Sequence, residues 1–349
     1  MNRVLLTRMK FIGDIVLTTP VIRSLRTALP HAYIAYLGDR NAVSLLEHNP
    51  FLNEIISYDF SRPTMQEQWR VAWLLRRRKF DVVIDLFGNP RSALLSYLSG
   101  AQVRVGPDRK GRGRFYTLRV RDDGKPKTSI AFHNQSLTAI GIQPSTVTTE
   151  LFLTTGEREQ AWKALNILLS GGVSARGSTP IVCLHPGATW PAKKWLPERF
   201  AELADRLHVD HGVRVVLTGG PGDADTVAEV CRYARTAPCP VGLLPLRQLA
   251  ALLSHCSAVV SNDAGPMHIA VAVGTPTIGI FGPGEESIWF PYPRERGHRA
   301  LRMDVPCHPC HLDICNRRGE EFMECMKLLL VDDVVKAVAE AVRVRHKEV

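Results

Sequence analysis

The sequence predicts an α/β protein with two parallel sheets, and three observations lead to this prediction. Short apolar segments alternate with amphipathic helical segments along most of the chain. The connections between them are short, as in βαβ units whose strands pair in parallel. A stretch rich in glycine and serine, 171–180, interrupts the alternation, which then resumes. The predicted strands are 3–7, 32–38, 54–59, 81–88 and 103–107 before this linker, and 181–188, 214–220, 258–263 and 277–282 after it.

Length and composition fit two domains of this kind. The chain has 349 residues, of which 45% are hydrophobic, enough for a sizeable core in each half. The first residues lack the apolar segment and cleavage site of a signal peptide, and no run of about 18 apolar residues predicts a membrane span. We therefore expect a cytoplasmic protein. Its eight cysteines are expected to be reduced thiols or metal ligands.

The net charge of +10 indicates a partner rich in phosphate, or simply a basic surface that favours solubility. A partner rich in phosphate could be nucleic acid, an anionic membrane face or a phosphorylated substrate. A basic, weakly periodic segment at 108–129 is predicted to be an irregular loop. It contains RKGRGR (109–114), which we expect either to meet lipid phosphates or to be a solvated charged face.

Several helices carry recognisable signals in the sequence. The threonine–proline pair at 19–20 predicts an N-cap followed by proline in the first helical turn. The segment 66–78 predicts a helix with Trp69, Trp73 and Leu74 on one face. Its C-terminal end carries a run of cations at 76–79, which the helix dipole favours there. The arginines at 76–78 could meet lipid phosphates, but a solvated charged face is the favoured interpretation. The segment 331–346 predicts an amphipathic helix.

The segment VVSNDAGPMHIAVAVGTPTIGIFGP (259–283) predicts an anion site. An apolar strand ends just before Asp263, Ala264 and Gly265, and ligands of open α/β sheets bind at that edge. A proline then opens a helix whose unpaired N–H groups and positive dipole end attract anions. His268 lies close to that helix end. An ordinary βαβ turn is the alternative interpretation.

Two further strand ends carry charged residues. HPGATWPAKKWLPERF (185–200) places Lys193 and Lys194 after a strand, where they could neutralise a diphosphate or form a solvated lysine pair. Asp14 follows the first strand of the other predicted sheet, where it could cap a helix or act as a general base. No G-x-G-x-x-G dinucleotide fingerprint follows that strand.

Three motifs in this order resemble glycosyltransferase family 9, the ADP-heptose:lipopolysaccharide heptosyltransferases. They are IGDIVLTTPVIRSLR, HPGATWPAKKWLPERFAEL and SNDAGPMHIAVAVGTPTIGIFGP, and DLFGNPRSALLSYLSGA also matches. The resemblance covers nearly the whole chain. It implies a GT-B fold, in which two Rossmann-like domains with parallel sheets face a central cleft. The implied parts are an acceptor-binding domain at 1–170, a nucleotide-sugar-binding domain at 178–330, and a C-terminal helix at 331–349 that packs back on the N-terminal domain.

The resemblance also implies an inverting glycosyltransferase that moves heptose from ADP-heptose to the inner core of lipopolysaccharide. Asp14 would be the general base. Charge on the departing ADP would be stabilised by the helix that begins at Pro266. The implied donor and diphosphate residues are Thr189, Lys193, Lys194, Asp263, Ala264, Gly265 and His268, with Asp223 or Asp225 as candidates for the ribose. Ala264 stands where a threonine is common, so one hydroxyl contact would be missing. No metal or other cofactor is needed.

The partners implied in this way are the ADP-heptose donor, a lipopolysaccharide core or lipid A-linked acceptor, and the cytoplasmic face of the inner membrane, without nucleic acid. Two alternatives keep the fold: a family member that transfers a different sugar, and a GT-B nucleotide-sugar epimerase. A third is a non-enzymatic, metal-stapled protein that binds nucleic acid. The 7% aromatic content, with no aromatics interleaved in the basic runs, speaks against the third.

A cysteine cluster follows the third motif. Cys307, Cys310, Cys315 and Cys325 are spaced C-x2-C-x4-C-x9-C in PCHPCHLDICNRRGEEFMECM. Four cysteines can hold a tetrahedral zinc ion, but this spacing is not a common zinc-ribbon pattern. The favoured interpretation is therefore free thiols that pack a loop, with structural zinc, and after it an iron–sulfur cluster, as the alternatives.

Overall fold

The computed structural model describes residues 1–60, 64–170 and 179–348, without the side chains of residues 170 and 346–348. The chain divides into two compact units, Met1–Phe152 and Leu153–Val349. The predicted linker at 171–180 lies outside the described residues, apart from its last two positions.

The first unit contains a parallel sheet of six strands in the order β3-β2-β1-β4-β5-β6. Each predicted strand of this half is present. Strand β6 was not predicted from the sequence. It has three residues and lies at the edge of the sheet. The strands are β1 (Arg3–Arg8), β2 (Tyr33–Asp39), β3 (Glu54–Tyr58), β4 (Val82–Asp85), β5 (Val103–Pro107) and β6 (Leu118–Val120).

The helices of the first unit begin where short polar side chains cap them. Asn89 and Ser92 form a reciprocal capping box, and Thr64 and Thr128 accept hydrogen bonds from the third residue of their helices. The helix predicted to be capped at 19 begins at that residue, with Thr18 in the N-cap position. The helices are α1 (Ile12–Val16), α2 (Thr19–Ala28), α3 (Met65–Arg78), α4 (Pro90–Leu98) and α5 (Ser129–Thr138).

The second unit repeats this architecture, with the parallel order β12-β11-β10-β7-β8-β9. Its strands are β7 (Ile181–His185), β8 (Arg214–Leu217), β9 (Cys239–Pro240), β10 (Ala258–Asn262), β11 (Thr277–Phe281) and β12 (Arg299–Arg302). Its helices are α6 (Thr155–Ser170), α7 (Pro197–His211), α8 (Ala224–Tyr233), α9 (Leu246–Ser254), α10 (Gly265–Ala272), α11 (Glu286–Trp289), α12 (Glu324–Lys327) and α13 (Val331–Glu348). The edge strands β9 and β12 were not predicted.

Two helices near the predicted domain bounds, α6 and α13, pack within the second unit. Helix α6 belongs to the second unit, where Glu157 forms a bidentate ion pair with Arg247 of α9. Helix α13 was predicted to pack back on the N-terminal domain. Its apolar face, which includes Val334, Val338 and Ala341, is buried in the core of the second unit against β10 and α7. Burial of an apolar helix face against a sheet is the main stabilisation of such a helix.

The structure shows which face of α3 contacts the core, a point that the sequence left open. The buried residues are Val71, Ala72 and Leu75, whereas Trp69 and Trp73 are exposed. A helical period shows which side chains share a face, but not which face meets the sheet. Within the described residues, no helix is both long and apolar enough to cross a membrane.

Candidate active site

Each sheet has one topological switch point, and the predicted site residues lie at these two points. In the first sheet the switch point lies between the neighbouring strands β1 and β4. From β1 the chain continues to β2 on one side, and from β4 it continues to β5 on the other side. In the second sheet β7 and β10 are neighbours in the same way. Open α/β sheets bind ligands beyond the carboxyl ends of the strands at such points. Asp14 follows β1, Lys193 follows β7, and Asp263 follows β10.

Asp14 lies in the short helix α1 and is almost fully buried. One carboxylate oxygen, Oδ2, accepts a hydrogen bond from the backbone N–H of Phe11 at 3.0 Å. The other oxygen, Oδ1, lies 2.7 Å from the guanidinium of Arg8, which comes from the end of β1. Arg8 in turn lies over the ring of Phe87, 4.5 Å from its centroid, in the loop after β4. These contacts fix the orientation of the carboxylate at the switch point.

His133 of α5 is a buried neighbour of this pair. Burial, and then the charge of Arg8, lower the pKa of His133 to about 4, while Asp14 and the backbone of Leu17 act in the opposite direction. The imidazole is therefore neutral at physiological pH. Because the neutral ring carries no positive charge, it does not compete with Arg8 for the carboxylate of Asp14.

In the second unit, Lys193 and Asp263 connect the two strands of the switch point. The Nζ atom of Lys193 lies 2.6 Å from Oδ2 of Asp263, and both side chains are largely buried. The same ammonium lies 4.5 Å from the ring centroid of Trp190, a cation–π contact. A lysine ammonium has three donor hydrogens, so its contact with Asp263 leaves donors for an anion.

The backbone around this ion pair is closely fitted. Asn262 accepts a hydrogen bond from the N–H of Trp195 and donates one to the carbonyl of Pro186, so it ties the loop after β7 to β10. A Cβ atom on Gly284 would lie 2.4 Å from Oδ2 of Asp263. The glycine is therefore needed for the carboxylate to approach this loop.

Lys194, the second lysine, has a different environment. Its Nζ donates to the hydroxyl of Thr226 at 3.0 Å and lies 3.5 Å from Asp223. Asp223 also accepts a hydrogen bond from the N–H of Gly220. Of the other predicted residues, Thr189 is exposed in the loop after β7, and Asp225 is exposed in the first turn of α8.

Helix α10 begins as predicted, directly after the strand end. Ala264 occupies the N-cap position with extended backbone, Gly265 is the first helical residue, and a proline follows it. His268 is buried, and its Nδ1 lies 2.7 Å from the hydroxyl of Tyr292. The positive end of the helix dipole thus lies next to Asp263 and its lysine partner, where negative charge is favoured.

The cysteine segment supports the loops of this site. His308 Nδ1 lies 2.9 Å from the carbonyl of Gly282, the N–H of His311 donates to the carbonyl of Pro283, and the carbonyl of Asp313 accepts from the N–H of Ala192. The segment therefore holds the loop after β7 and the loop after β11 together.

All four cysteines of this segment are free and partly buried. Burial, and then the nearby thiols of Cys307, Cys310 and Cys315, raise the pKa of Cys325 to about 11. In the described part of the chain, no group of three or more His, Cys, Asp or Glu side chains could hold a metal ion.

Sequence reasoning missed the residues that hold the predicted ones. Arg8 had a detectable signal, since it is a cation at the end of the same strand that precedes Asp14. Trp190 lies three residues before Lys193 in the quoted motif, so its contact with that lysine is local, although the sequence analysis did not single it out. His133 and Tyr292 had no signal. They meet the site only through tertiary packing, such as that of α5 against α2.

The family resemblance implies that ADP binds at this switch point, and in that case we expect Gly284→Ala to weaken ADP binding about tenfold. The reason is that the new methyl group displaces the carboxylate that holds Lys193. Isothermal titration calorimetry with ADP measures this. The matched control is Gly222→Ala, where no heavy atom lies within 4 Å of the added Cβ. Equal ADP affinity in the Gly284→Ala and native proteins would contradict the prediction.

Acid is expected to destabilise the fold through three buried histidines. Burial lowers the pKa values of His133, His185 and His298 to about 4 each. As the pH falls from about 6.5 to about 4, the unfolded chain binds protons that the folded chain does not, and each histidine removes up to about 3 kcal/mol. Urea unfolding at pH 7 and pH 5 measures the loss. His298→Asn should reduce it, and His31→Asn, at an exposed position, should not.

Comparison with known proteins identifies the family. The model of "Glycosyltransferase family 9 (heptosyltransferase)" matches residues 68–317. Lipopolysaccharide heptosyltransferase 3 of Escherichia coli strain K12 is 31% identical over 305 residues, covering 81% of this chain and 83% of that protein. This chain belongs to glycosyltransferase family 9. It is accordingly a transferase enzyme, and the non-enzymatic interpretation is wrong.

Solved structures of family 9 proteins have the same fold as this family 9 enzyme. The glycosyl transferase family 9 protein of Veillonella parvula has a TM-score of 0.84 at 25% identity and covers 98% of this chain and 97% of its own. The ADP-heptose lipopolysaccharide heptosyltransferase II of E. coli has a TM-score of 0.79 at 23% identity, with both chains fully covered. The predicted α/β class and GT-B fold are confirmed.

Proposed function

We propose that this enzyme transfers a heptose from ADP-heptose to the inner core of lipopolysaccharide, with inversion at the anomeric carbon. The observation that carries the proposal is the position of one buried carboxylate, Asp14, at one switch point, and of a buried lysine–aspartate pair, Lys193 and Asp263, at the other. Membership of family 9 and the names of the relatives support heptose as the sugar and lipopolysaccharide as the acceptor.

Asp14 acts as the general base in this mechanism. Its carboxylate accepts the proton of an acceptor hydroxyl while that oxygen forms a bond to the anomeric carbon. The bond between the anomeric carbon and the diphosphate oxygen breaks, and ADP leaves with its electron pair. The backbone N–H of Phe11 and the guanidinium of Arg8 hold the carboxylate, so the base is preorganised for proton transfer.

The diphosphate of the leaving ADP is held in the second unit. Lys193 donates to it with the hydrogens not used by Asp263, and the positive end of α10 faces the developing charge. We assign weaker contacts to Lys194 and Thr189, and ribose recognition to Asp223 or Asp225. Gly265 gives the phosphates access to the backbone. No residue of this scheme requires a metal ion.

The acceptor sets where the enzyme works. A lipid A-linked core is embedded in the inner membrane, so we propose that the enzyme acts in the cytoplasm and contacts the cytoplasmic face of that membrane. The net charge of +10 supports contact with anionic lipid and with acceptor phosphates. Nucleic acid is not a partner in this scheme.

ADP release tests the proposal. The native protein is incubated with ADP-heptose and deacylated lipopolysaccharide core, and in parallel with a panel of other nucleotide sugars. We expect release of ADP from ADP-heptose that depends on the core acceptor. If another nucleotide sugar is the substrate and ADP-heptose is not, the second candidate, a family member that transfers a different sugar, replaces the first.

A further inference from the structure

Helix α3 carries an apolar stripe on its solvent side. Met65, Trp69 and Trp73 are spaced four residues apart, so they lie along one face of the helix. Their exposed fractions are 73%, 59% and 61%. A neighbouring face of the helix, with Val71, Ala72 and Leu75, is buried in the core of the first unit, so this helix has both a buried and an exposed apolar face. Aligned large apolar side chains on a surface mark an interaction site more often than isolated ones do.

Cations without acidic partners flank this stripe. Arg77 lies over the ring of Trp73, with its guanidinium carbon 4.5 Å from the ring centroid. Arg76 and Lys79 are also exposed at the C-terminal end of the helix. Among the described residues, no carboxylate pairs with these three cations, whereas Arg70 and Arg78 pair with glutamates. The surface is thus amphipathic and positively charged.

These two features fit a lipid bilayer with anionic headgroups. Tryptophan rings prefer the headgroup region, where one part of the ring is apolar and the N–H is solvated. Arginine and lysine at the same depth meet lipid phosphates and extend their apolar stems along the surface. A helix of 14 residues is about 21 Å long, which suits a helix lying in the plane of the interface.

The helix also begins at the catalytic edge of its sheet. It follows β3, whose carboxyl end lies on the same edge as that of β1 because the strands are parallel. Asp14 lies beyond that end of β1. The Nζ atom of Lys10, four residues before Asp14, lies 5.0 Å from the ring centroid of Phe60 in the segment that leads to α3. A bilayer on α3 would therefore be next to the edge that receives the acceptor.

We propose that the exposed face of α3, formed by Met65, Trp69, Trp73, Arg76, Arg77 and Lys79, docks this enzyme on an anionic lipid bilayer. The choice of a bilayer over another partner rests in part on the proposed function, because a lipid-linked acceptor gives the contact a purpose. The charge and the tryptophans are independent of that function.

Vesicle flotation tests the docking surface directly. The protein is mixed with vesicles of phosphatidylcholine alone, or of phosphatidylcholine with phosphatidylglycerol, and none contains an acceptor. We expect binding to the anionic vesicles, reduced at least about tenfold by Trp69→Ser/Trp73→Ser. Neutralising Arg77 alone should weaken binding about fivefold, the effect of one cation near an anionic surface.

Controls separate docking from folding. Trp162→Ser removes an exposed tryptophan of α6 and should leave vesicle binding unchanged. Thermal unfolding of Trp69→Ser/Trp73→Ser should match the native protein, because both side chains are exposed. Native-like vesicle binding by the double variant would overturn the proposal.

Two further results separate this surface from its alternatives. Sedimentation that shows a dimer abolished by Trp69→Ser/Trp73→Ser, without vesicle binding, would assign the face to a second copy of the chain and overturn the bilayer. Tryptophan-dependent vesicle binding without release of ADP from any donor would support docking and refute the proposed function. With a deacylated, water-soluble acceptor, the double variant should turn over at the native rate.

Discussion

Asp14→Asn is expected to lower kcat by about 10³- to 10⁴-fold, the largest effect of any single substitution we consider. The amide is nearly isosteric and can still accept the hydrogen bond from Phe11, but it cannot take a proton from the acceptor. Steady-state ADP release, with ADP-heptose and core acceptor both saturating, measures the change. ADP affinity should stay at the native value, because the proposed ADP contacts belong to the second unit.

A carboxylate at the same sheet edge provides the control for this substitution. Asp39 ends β2, is equally buried, and accepts a hydrogen bond from the N–H of Asn41. Asp39→Asn keeps that acceptor and should change kcat less than about threefold. If Asp14→Asn keeps activity within tenfold of the native enzyme, another group takes the proton and the assignment of the base is wrong.

Lys193→Met is expected to lower kcat/KM by about 10²- to 10³-fold, because it removes the charge proposed to neutralise the departing diphosphate. It should also destabilise the fold by about 3 kcal/mol, since Asp263 is left buried without its cation. Lys194→Met, at the neighbouring position, should have a smaller effect on both quantities. Its lysine is more exposed and lies 3.5 Å from Asp223.

The double variant Lys193→Met/Asp263→Asn separates the two roles of this lysine. The double variant has no unpaired buried carboxylate. Its free energy of unfolding should therefore be close to that of the native protein, and higher than that of Lys193→Met. Activity should not recover, since the diphosphate still lacks its cation. If activity returns together with stability, Lys193 acts only by keeping Asp263 in place.

The positions of the site residues were predictable because parallel sheets bring strand ends to one edge. The sequence shows an apolar strand followed at once by Asp14, and two others followed by Lys193 and Asp263. The alternation of strands and helices predicts parallel strands, so their carboxyl ends lie at the same edge of the sheet. The ion pair itself was not predictable, because it depends on β7 and β10 being neighbours in the sheet although 72 residues lie between the end of β7 and the start of β10.

The remaining errors also have physical causes. The edge strands β6, β9 and β12 contain only two to four residues, too few for an alternating pattern. The apolar period of α13 predicted a buried face but carried no information on which core it joins. For α3, apolar residues occur on more than one face, so the sequence pattern does not show which face is buried.

The acceptor itself gives the most direct test of the proposed reaction. After incubation with ADP-heptose, the core acceptor is analysed by mass spectrometry, and the new linkage by NMR. We predict that the acceptor gains one heptose, with the anomeric configuration inverted relative to the donor. An acceptor that remains unmodified across truncated and complete inner cores would contradict heptosyl transfer, and retained configuration would contradict direct attack assisted by Asp14.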